Sequence, residues 1–364
     1  MSVFSSKFEK SFSINNRIIG SKHSPYIIAE LSGNHKGDID RALALIDKAA
    51  STGVDAIKIQ TYRPDTITLN HNGPEFCLTE GLWKGRTLFD LYQEAHTPWE
   101  WHSALFQRAS ELDITLFSSP FDCTAVDLLE DLNCPAYKIA SFEITDIALI
   151  KYAASTRKPI IMSTGMATLE EIEEASQAVL DAGGRQLAIL HCVSGYPTPL
   201  KDCNLQTITD LKERFSVPIG LSDHSLATTA AVTSVALGAN IIEKHFTLLK
   251  NDDSVDAKFS LTPAQFTTLV NETKDAWISL GKSDYSLKAS EEINRSFRRS
   301  LYVTQDIKAG SQFTLQNIKS VRPGLGLHPR YLEDVLETTA TKDLKLGTAL
   351  SFEHLAGFTN SSNK

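Results

Sequence analysis

The segment PIIMSTGMATLEEIEEASQAVLDAGGRQLAILHC, residues 159–192, decides the fold class. Its two ends, PIIMST and LAILHC, are short apolar runs of the length that buried strands have. Between them, residues 168–184 show helical spacing, with Thr168 and Glu171 in a capping-box arrangement and glycines after the last apolar residue. A strand, a helix and a second strand in this order predict a parallel βα unit.

The same alternation extends on both sides of this segment. Helical spacing recurs in residues 40–53 and 226–239. Eight strand–helix repeats predict a closed (β/α)8 TIM barrel, which usually takes about 250 residues. An open doubly wound sheet is the alternative, but no Gly-x-Gly-x-x-Gly motif follows the first predicted strand. The other six predicted strands are YIIAE (26–30), AIKIQT (56–61), TLFSSP (115–120), AYKIAS (136–141), PIGLSD (218–223) and IIEKHF (241–246).

The barrel accounts for only part of the chain. A long insertion, residues 62–97, follows the second predicted strand, on the side where such barrels place their catalytic residues. Farther along, the motif DIKAG (306–310) is echoed by DLKLG (343–347), which predicts a small domain of two similar β-turn units. The predicted organisation is a barrel domain at 1–280 with an N-terminal hairpin at about 12–20, a polar linker at 281–299 and a small domain at 300–360.

Composition and charge argue against several classes of function. The 364 residues carry a net charge of −8, and a nucleic acid or an anionic membrane would favour a basic surface. Five cysteines without a CxxC pair predict reduced thiols in a cytoplasmic protein. The N-terminal segment lacks the continuous apolar run of a signal peptide, and no stretch approaches the ~18 apolar residues of a membrane span.

Polar residues concentrate where the predicted strands end. In a strand, residues i and i+2 share a face, and a TIM barrel normally fills its interior with branched apolar side chains. Polar side chains at these ends therefore predict a site at the carboxyl end of the barrel. They are Glu30, Lys58, Gln60, Ser119, Lys138, Ser141, Glu143, Ser163, His191, Cys192, Ser194, Tyr196, Ser222, His224, Glu243 and His245.

Two lysines and two histidines of this set indicate specific chemistry. Lys58 and Lys138 lie inside predicted strands and need anionic partners, because a buried unpaired ammonium is costly. The partners are either nearby glutamates or a bound phosphate or carboxylate, to which the serines offer hydroxyl donors. His224 and His245 end adjacent strands, and two neutral imidazoles with open positions beside them suit a divalent metal ion that polarises a carbonyl. Glu30 is the acid/base candidate.

Eight ordered motifs resemble one known family. They are IIAELSGNHKG, AIKIQTY, FSSPFD, AYKIASFE, MSTGMAT, LHCVSGYPTP, GLSDHS and EKHFT, and they resemble the sialic acid synthase family of phosphoenolpyruvate-dependent nonulosonate synthases. The tail RSLYVTQDIKAG…RPGLG…DLKLGTAL is similar to the family's antifreeze-like (SAF) domain. The resemblance implies a TIM-barrel transferase that condenses phosphoenolpyruvate with an open-chain N-acylated amino sugar and releases phosphate by C–O cleavage.

The resemblance also implies a role for each site residue. His224 and His245 would bind a divalent ion (Mn²⁺, Mg²⁺ or Co²⁺) and Glu30 would be the acid/base residue. Arg322 would reach the barrel of a neighbouring subunit, which implies a domain-exchanged homodimer. Phosphoenolpyruvate would be held by Lys58, Ser119, Lys138, Ser141, Ser163, Ser194 and Ser222, and the sugar by Gln60, Glu143, Tyr196, Asp256 and Arg322.

Two departures bear on the sugar. Ser194 stands where the N-acetylneuraminate branch of the family has Asn, and Phe142 stands where it has Gly, which suits a less hydroxylated substrate. The segment LWKGRTLFDLYQEAHTPWEW (82–101) resembles the branch that uses 2,4-diacetamido-2,4,6-trideoxy-L-altrose. Its aromatic residues Trp83, Trp99 and Trp101 either offer apolar surface to that sugar or belong to the helix core.

Other functions are compatible with parts of the pattern. The branches of the family that make legionaminic acid or N-acetylneuraminic acid are the near alternatives. A Schiff-base aldolase would use Lys58 or Lys138 as its nucleophile, since a desolvated lysine can act in that way. A non-catalytic sugar-binding or ice-binding protein is the alternative from a different class, suggested by the antifreeze-like tail.

Overall fold

The computed structural model describes residues 7–358 and divides the chain into two compact units, with the boundary between Gly281 and Lys282. The first unit begins with a small antiparallel hairpin, Phe12–Ile14 (β1) and Arg17–Ile19 (β2). Asn15 takes a positive φ of 51° in the turn between them, a conformation that Asn tolerates better than most residues. None of the helices in residues 7–358 combines the length and the apolar character that a membrane crossing requires.

Eight parallel strands then close into a barrel, in which the last strand pairs with the first, as the alternation of strands and helices predicts. Each strand pairs with its neighbours around the whole barrel, and His245 lies opposite Glu30 where the last strand meets the first. The alternative prediction of an open doubly wound sheet is therefore wrong. The strands are Tyr26–Glu30 (β3), Ala56–Thr61 (β4), Thr115–Pro120 (β5), Tyr137–Ile139 (β6), Ile160–Ser163 (β7), Leu187–Cys192 (β8), Ile219–Asp223 (β9) and Ile241–His245 (β10).

The barrel strands are apolar because both of their faces are covered. All five residues of β3 and all six of β8 are buried, which is the expected pattern for parallel strands between a filled interior and an outer ring of helices. Packing is tight at Gly220 in β9, where an added Cβ would lie 2.5 Å from Leu190 Cδ2 and from the Ile241 carbonyl oxygen. A side chain at this position would push β9 away from its neighbours.

Helices surround the barrel and begin at recognisable caps. Asp38 accepts hydrogen bonds from the first turn of one helix, and Thr168 and Glu171 form the predicted reciprocal capping box of another. The outer helices are Ile39–Ala50 (α1), His102–Glu111 (α4), Cys123–Asp131 (α5), Ile147–Ser155 (α6), Leu169–Asp181 (α7), Thr207–Phe215 (α8), Thr229–Ala236 (α9) and Pro263–Leu280 (α10).

The insertion after β4 has structure of its own. It contains two α-helices, Pro64–Ile67 (α2) and Leu88–Ala95 (α3), and a short 3₁₀ turn at Pro74–Phe76. Thr87 caps α3 by accepting a hydrogen bond from the backbone N–H of Asp90. Short 3₁₀ turns also lie at Trp99–Trp101, Ser141–Glu143, Leu200–Asp202 and Ala257–Phe259.

The second unit has a separate small core. Its elements are the strands Ser300–Val303 (β11), Ile318–Val321 (β12), Thr339–Ala340 (β13) and Leu355–Ala356 (β14), the helix Leu332–Leu336 (α11), and 3₁₀ turns at Ala289–Phe297, Pro329–Tyr331 and Phe352–His354. Buried Leu301, Val303, Ile307, Phe313, Ile318, Leu327, Val335, Ala340, Leu344, Leu350 and Leu355 form the core.

The two sequence echoes of the second unit pair with each other. Lys345 Nζ lies 2.7 Å from an Asp306 carboxylate oxygen, and Lys308 Nζ lies 2.6 Å from an Asp343 carboxylate oxygen. Between these ion pairs, the backbones of Ile307 and Leu344 exchange two hydrogen bonds of 2.8 Å. The repeated motif therefore marks two halves that meet in a mirrored arrangement.

Candidate active site

Most of the predicted site residues line one cavity at the carboxyl end of the barrel. Its volume is about 470 Å³, within the usual range for a small-molecule site. The predicted residues that line it are Glu30, Lys58, Gln60, Lys138, Ser141, Glu143, Ser163, Cys192, Tyr196, Ser222, His224, Glu243, His245 and Asp256. Strands β3, β4, β6, β7, β8, β9 and β10, with the segments that follow them, carry these residues, as the barrel prediction requires.

The floor of the cavity is a buried cluster of charges. Lys58 Nζ lies 2.9 Å from Glu243 Oε1 and 3.2 Å from Glu30 Oε2. Burial alone would lower the pKa of Lys58, but these two carboxylates raise it above its ordinary value. The same carboxylate oxygen of Glu243 accepts a hydrogen bond from Ser222 Oγ at 3.2 Å. The prediction that Glu243 pairs with a barrel lysine is confirmed.

Lys138 is less well compensated than Lys58. Its ammonium lies 3.7 Å from Glu243 Oε1, which Lys58 already occupies, and it donates one long hydrogen bond of 3.3 Å to the Ile139 carbonyl oxygen. Burial lowers the pKa of Lys138 to about 8, with Glu243 opposing the shift. The Ser163 hydroxyl beside it is buried without a hydrogen-bond partner among the described residues. An ammonium and a hydroxyl in this state are suited to receive an anion.

A chain of hydrogen bonds leads from the acid/base candidate to the sugar side. Gln60 Nε2 donates to Glu30 Oε1 at 2.9 Å and to Ser32 Oγ at 3.1 Å, and the Ser32 hydroxyl donates to Asp256. Burial raises the pKa of Glu30, although Lys58 opposes it, and burial raises that of Asp256 to about 6. Both carboxyl groups therefore become protonated at a higher pH than exposed carboxyl groups do.

His224 and His245 face each other with ring centroids 5.4 Å apart. The Val193 carbonyl oxygen lies 3.0 Å from His224 Nδ1 and favours a proton on that nitrogen. His224 Nε2 is then the nitrogen that can bind a metal ion. His245 Nδ1 is buried without a hydrogen-bond partner in the described part of the chain and lies 3.8 Å from Asp256 Oδ2. Burial, together with His224, lowers the pKa of His245 well below its ordinary value, so its imidazole is neutral.

This pair of imidazoles fits a divalent metal ion. A neutral ring with an unpartnered buried nitrogen is the form of histidine that binds metals. The pKa of His224 is raised, because the Cys192 thiol and the Val193 carbonyl outweigh the effect of burial, so an ion would displace a proton there. Within residues 7–358, no group of three or more His, Cys, Asp or Glu side chains is placed to hold an ion together. Two protein ligands would leave the other positions to substrate and water.

Comparison with known proteins identifies the family. Residues 45–285 match the NeuB family, and residues 298–356 match the SAF domain. The chain belongs to the NeuB family. This confirms the resemblance to the sialic acid synthases and their C-terminal domain.

Several relatives of this NeuB-family chain have names or solved structures. It is 46% identical over 325 residues to a pseudaminic acid synthase of Campylobacter jejuni, covering 89% of this chain and 95% of that one. It is 42% identical to a Helicobacter pylori pseudaminic acid synthase, covering 91% and 98%. An N,N'-diacetyllegionaminic acid synthase of Legionella pneumophila is 32% identical, covering 92% and 96%.

Solved structures of related proteins have the same fold. The spore coat polysaccharide biosynthesis protein SpsE of Bacillus subtilis superposes with a TM-score of 0.66 at 33% identity, covering 95% of this chain and 99% of that one. An N-acetylneuraminic acid synthetase of Leptospira borgpetersenii in complex with citrate gives a TM-score of 0.70 at 32% identity, covering 78% and 94%. The (β/α)8 fold of the NeuB-family chain is thus that of its relatives.

Some predicted residues lie outside the cavity lining. The Ser119 and Ser194 hydroxyls are buried beside it, without a hydrogen-bond partner among the described residues. His191 Nε2 lies 2.7 Å from the Cys203 carbonyl oxygen and takes no part in the site. Arg322 is exposed in the second unit, and its role stays a prediction.

The three tryptophans of the insertion region separate into two groups. Trp83 lines the cavity, whereas Trp99 and Trp101 are not among the described residues that line it. The Arg63 guanidinium stacks over the Trp99 ring at 4.5 Å, and Trp101 packs edge-on against His35. Of the two alternatives, packing against the protein is the one that these contacts support for Trp99 and Trp101, and a contact of Trp83 with the sugar stays a prediction.

Sequence reasoning missed Phe121, Ala140, Val255 and Phe259 of the lining. It also missed two further groups. Ser32 lies two residues after Glu30 in an irregular loop, where no periodicity marks it. The second group lies in the insertion and beside it, and the apolar character of α3 is its only sequence signal. Its members are Tyr62, Ile67, Leu78, Leu88, Leu91, Tyr92 and Ala95.

Proposed function

We propose that this NeuB-family chain is a pseudaminic acid synthase, a transferase that joins phosphoenolpyruvate to 2,4-diacetamido-2,4,6-trideoxy-L-altrose and releases phosphate. One observation carries the reaction class: a lysine pair with a shared carboxylate lies at the floor of a cavity whose rim holds two facing imidazoles. The sugar is supported by 42–46% identity to pseudaminic acid synthases over about nine-tenths of the chain, above the 32–35% to legionaminic acid synthases.

The floor would bind phosphoenolpyruvate. Its phosphate and carboxylate need cationic and hydroxyl donors, and Lys138 and Ser163 are donors that the protein leaves under-occupied. Ser119, Ser141, Ser194 and Ser222 would add hydroxyl contacts around them. The bound anion would lie close to the Lys138 ammonium, whose distance to Glu243 Oε1 is 3.7 Å.

The rim would hold the aldehyde of the open-chain sugar. His224 and His245 would bind a divalent ion such as Mn²⁺, Mg²⁺ or Co²⁺, which when bound polarises a carbonyl. Glu30 would exchange a proton with the reacting oxygens, since burial raises its pKa while Lys58 and Gln60 hold its carboxyl group in place. Gln60, Glu143, Tyr196 and Asp256 would line the sugar.

A product assay tests this function. The purified protein is incubated with phosphoenolpyruvate, a divalent ion and each of three sugars, namely the trideoxy altrose, its legionaminic counterpart and N-acetylmannosamine. We expect a nonulosonate by mass spectrometry chiefly from the first, and ¹⁸O from the bridging oxygen of phosphoenolpyruvate should appear in the phosphate. His245→Ala should lose both the ion and nearly all activity. Turnover of only one of the other sugars would contradict the assignment.

One observation favours a second candidate mechanism. The lowered pKa of Lys138, about 8, gives it more free amine than an exposed lysine has, as a Schiff-base aldolase requires. Borohydride trapping of a substrate on Lys138, with activity that survives a chelator, would support that route. Loss of activity on chelation without trapping would exclude it.

We also propose that the protein acts as a domain-exchanged homodimer in the cytoplasm. The segment after Gly281 exposes large apolar side chains, namely Tyr285, Ile293 and Phe297, which a second copy of the chain would cover. All five cysteines are free thiols, as expected for a reducing compartment. Mixing inactive Arg322→Ala and Glu30→Ala variants should restore part of the activity, because one site in the mixed dimer would keep both residues. Absence of any recovery would contradict cross-subunit supply.

A further inference from the structure

The active-site cavity is lined by both polar and apolar side chains. Five side chains of the insertion form one apolar wall, which we call the insertion wall: Ile67, Leu78, Trp83, Leu88 and Leu91. Four of them have no polar side-chain atom. The fifth, Trp83, donates its indole N–H to the Val255 carbonyl oxygen at 3.3 Å. The insertion wall therefore presents carbon surface and no free hydrogen-bonding group of its side chains to whatever lies against it.

Ring contacts fix the distance of this wall from the imidazole pair. The Tyr196 ring lies 4.5 Å from the His224 ring, and the Trp83 ring lies 6.0 Å from Tyr196 on a separate segment. Tyr196 thus lies near both the imidazole pair and Trp83. A six-carbon sugar whose aldehyde lies at the imidazoles would extend past Tyr196 towards the insertion wall.

The chemistry of the wall matches a deoxygenated sugar end. A methyl group at C6, or the methyl of an acetamido group, gains free energy when it leaves water for a carbon surface. A hydroxyl group in the same place loses its water and finds no partner on the wall, which costs free energy. Polar groups elsewhere in the lining belong to Glu30, Gln60 and Asp256, and to Tyr62 and Tyr92 of the insertion itself.

We propose that the insertion wall is the specificity subsite for the C6 methyl end of the sugar and selects 6-deoxy over 6-hydroxy substrates. This inference rests on the proposed function, since it places the aldehyde at the imidazole pair. An apolar surface rejects an added hydroxyl only moderately, so we expect kcat/KM to favour the 6-deoxy sugar by roughly 10-fold to 100-fold. The insertion at residues 62–97 then sets which sugars the enzyme accepts.

Paired substrates and paired variants test the subsite. The kcat/KM of the wild-type protein is measured with 2,4-diacetamido-2,4,6-trideoxy-L-altrose and with its 6-hydroxy counterpart. Leu88→Asn places a hydrogen-bonding group on the wall at similar volume and should bring the ratio of the two values to within a few-fold of one, with the KM for phosphoenolpyruvate unchanged. Leu69→Asn is the matched control, because Leu69 belongs to the same insertion and is 64% exposed. It should keep the wild-type ratio.

A second pair of variants covers the case in which Leu88→Asn does not fold. Trp83→Phe removes the indole from the wall and should lower kcat/KM for the 6-deoxy sugar, whereas Trp99→Phe changes a tryptophan outside the lining and should not. Equal wild-type efficiency with both sugars, or an unchanged ratio in Leu88→Asn and unchanged kinetics in Trp83→Phe, overturns the subsite alone. No product from either sugar or from the other candidates overturns the proposed function, and the subsite with it.

Discussion

The two faces of strand β10 carry opposite charges and use them differently. Glu243 points into the barrel, and the next residue, Lys244, points outward, yet both side chains are almost fully buried. Inside, one carboxylate oxygen of Glu243 serves two lysines, at 2.9 Å from Lys58 and 3.7 Å from Lys138. The interior cluster is short of acceptors for its ammonium groups.

Outside, Lys244 has a complete set of partners. Its three ammonium protons have three acceptors: the Asp223 carboxylate at 2.7 Å, the Ser225 carbonyl at 2.6 Å and the Ala227 carbonyl at 3.3 Å. These acceptors bracket His224 in the chain, so Lys244 holds the loop that presents this imidazole. A satisfied buried lysine stabilises structure, whereas an under-compensated one is available to a ligand.

The largest effect is expected from breaking the outer pair. Lys244→Met should lower the free energy of unfolding by about 3–5 kcal/mol, because it leaves the Asp223 carboxylate buried without its cation. Denaturant unfolding measures the loss, and titration with a divalent ion should show weaker binding, since the loop around His224 loses its anchor. Lys244→Met combined with Asp223→Asn should recover part of the stability. A loss below about 1 kcal/mol, the range of exposed pairs, would contradict this role.

Removal of the inner lysine should separate activity from stability. We expect Lys138→Met to lower kcat/KM for phosphoenolpyruvate about 100-fold to 1,000-fold, equivalent to roughly 3–4 kcal/mol. The free energy of unfolding should stay unchanged or rise, because Glu243 keeps Lys58 as its partner. Steady-state kinetics and denaturant unfolding of the same preparation give both quantities. A large loss of stability would place Lys138 in the same structural class as Lys244.

The inner lysine should also set the alkaline limb of the pH profile. Lys138 is protonated below its pKa of about 8, and only the ammonium form attracts the anion. Because kcat/KM reports the free enzyme, it should fall about tenfold for each pH unit above 8. Lys138→Arg keeps its charge throughout this range, and any activity that it retains should lack this limb. A limb that persists in Lys138→Arg would assign it to another group.

The smallest effect is expected where charges pair in solvent. Lys345 and Asp306 of the second unit lie 2.7 Å apart, but both side chains are more than half exposed. Water screens such a pair, and the ordering of two long side chains opposes it. Lys345→Ala should therefore leave the thermal unfolding midpoint of the protein nearly unchanged, and 0.5 M salt should have as little effect on the wild type. A clear drop would show that the mirrored pairs stabilise the small domain.

The sequence predicted most of the fold because buried parallel strands are continuous apolar runs. The predicted strands 56–61, 115–120 and 187–192 coincide with β4, β5 and β8. Polar residues inside such runs, for example Lys58 and Glu243, are conspicuous against that background, and so the floor of the site could be predicted. Alternation along a strand also accounts for the outward direction of Lys244, the residue after Glu243.

Partners across strands and in irregular segments could not be predicted in the same way. The pairing of Lys244 with Asp223 depends on the register between β10 and β9, which places these residues opposite each other. Ser32, Leu78 and Trp83 lie where the backbone has no regular period, so the direction of their side chains follows from tertiary packing alone. Trp83 and Trp99 illustrate the limit, because Trp83 lines the cavity and Trp99 does not, and no regular pattern in the sequence separates them.

The insertion takes no part in the strand pairing of the barrel. The ladder between β4 and β5 runs from Ala56 opposite Thr115 to Thr61 opposite Pro120, and residues 62–97 take no part in it. Mutations in this segment can therefore change what the cavity accepts while the strands that hold the lysines and histidines keep their register. Mutations in one short stretch of the gene would then be enough to change the sugar that such an enzyme accepts. New glycans could arise in this way while the catalytic residues stay the same.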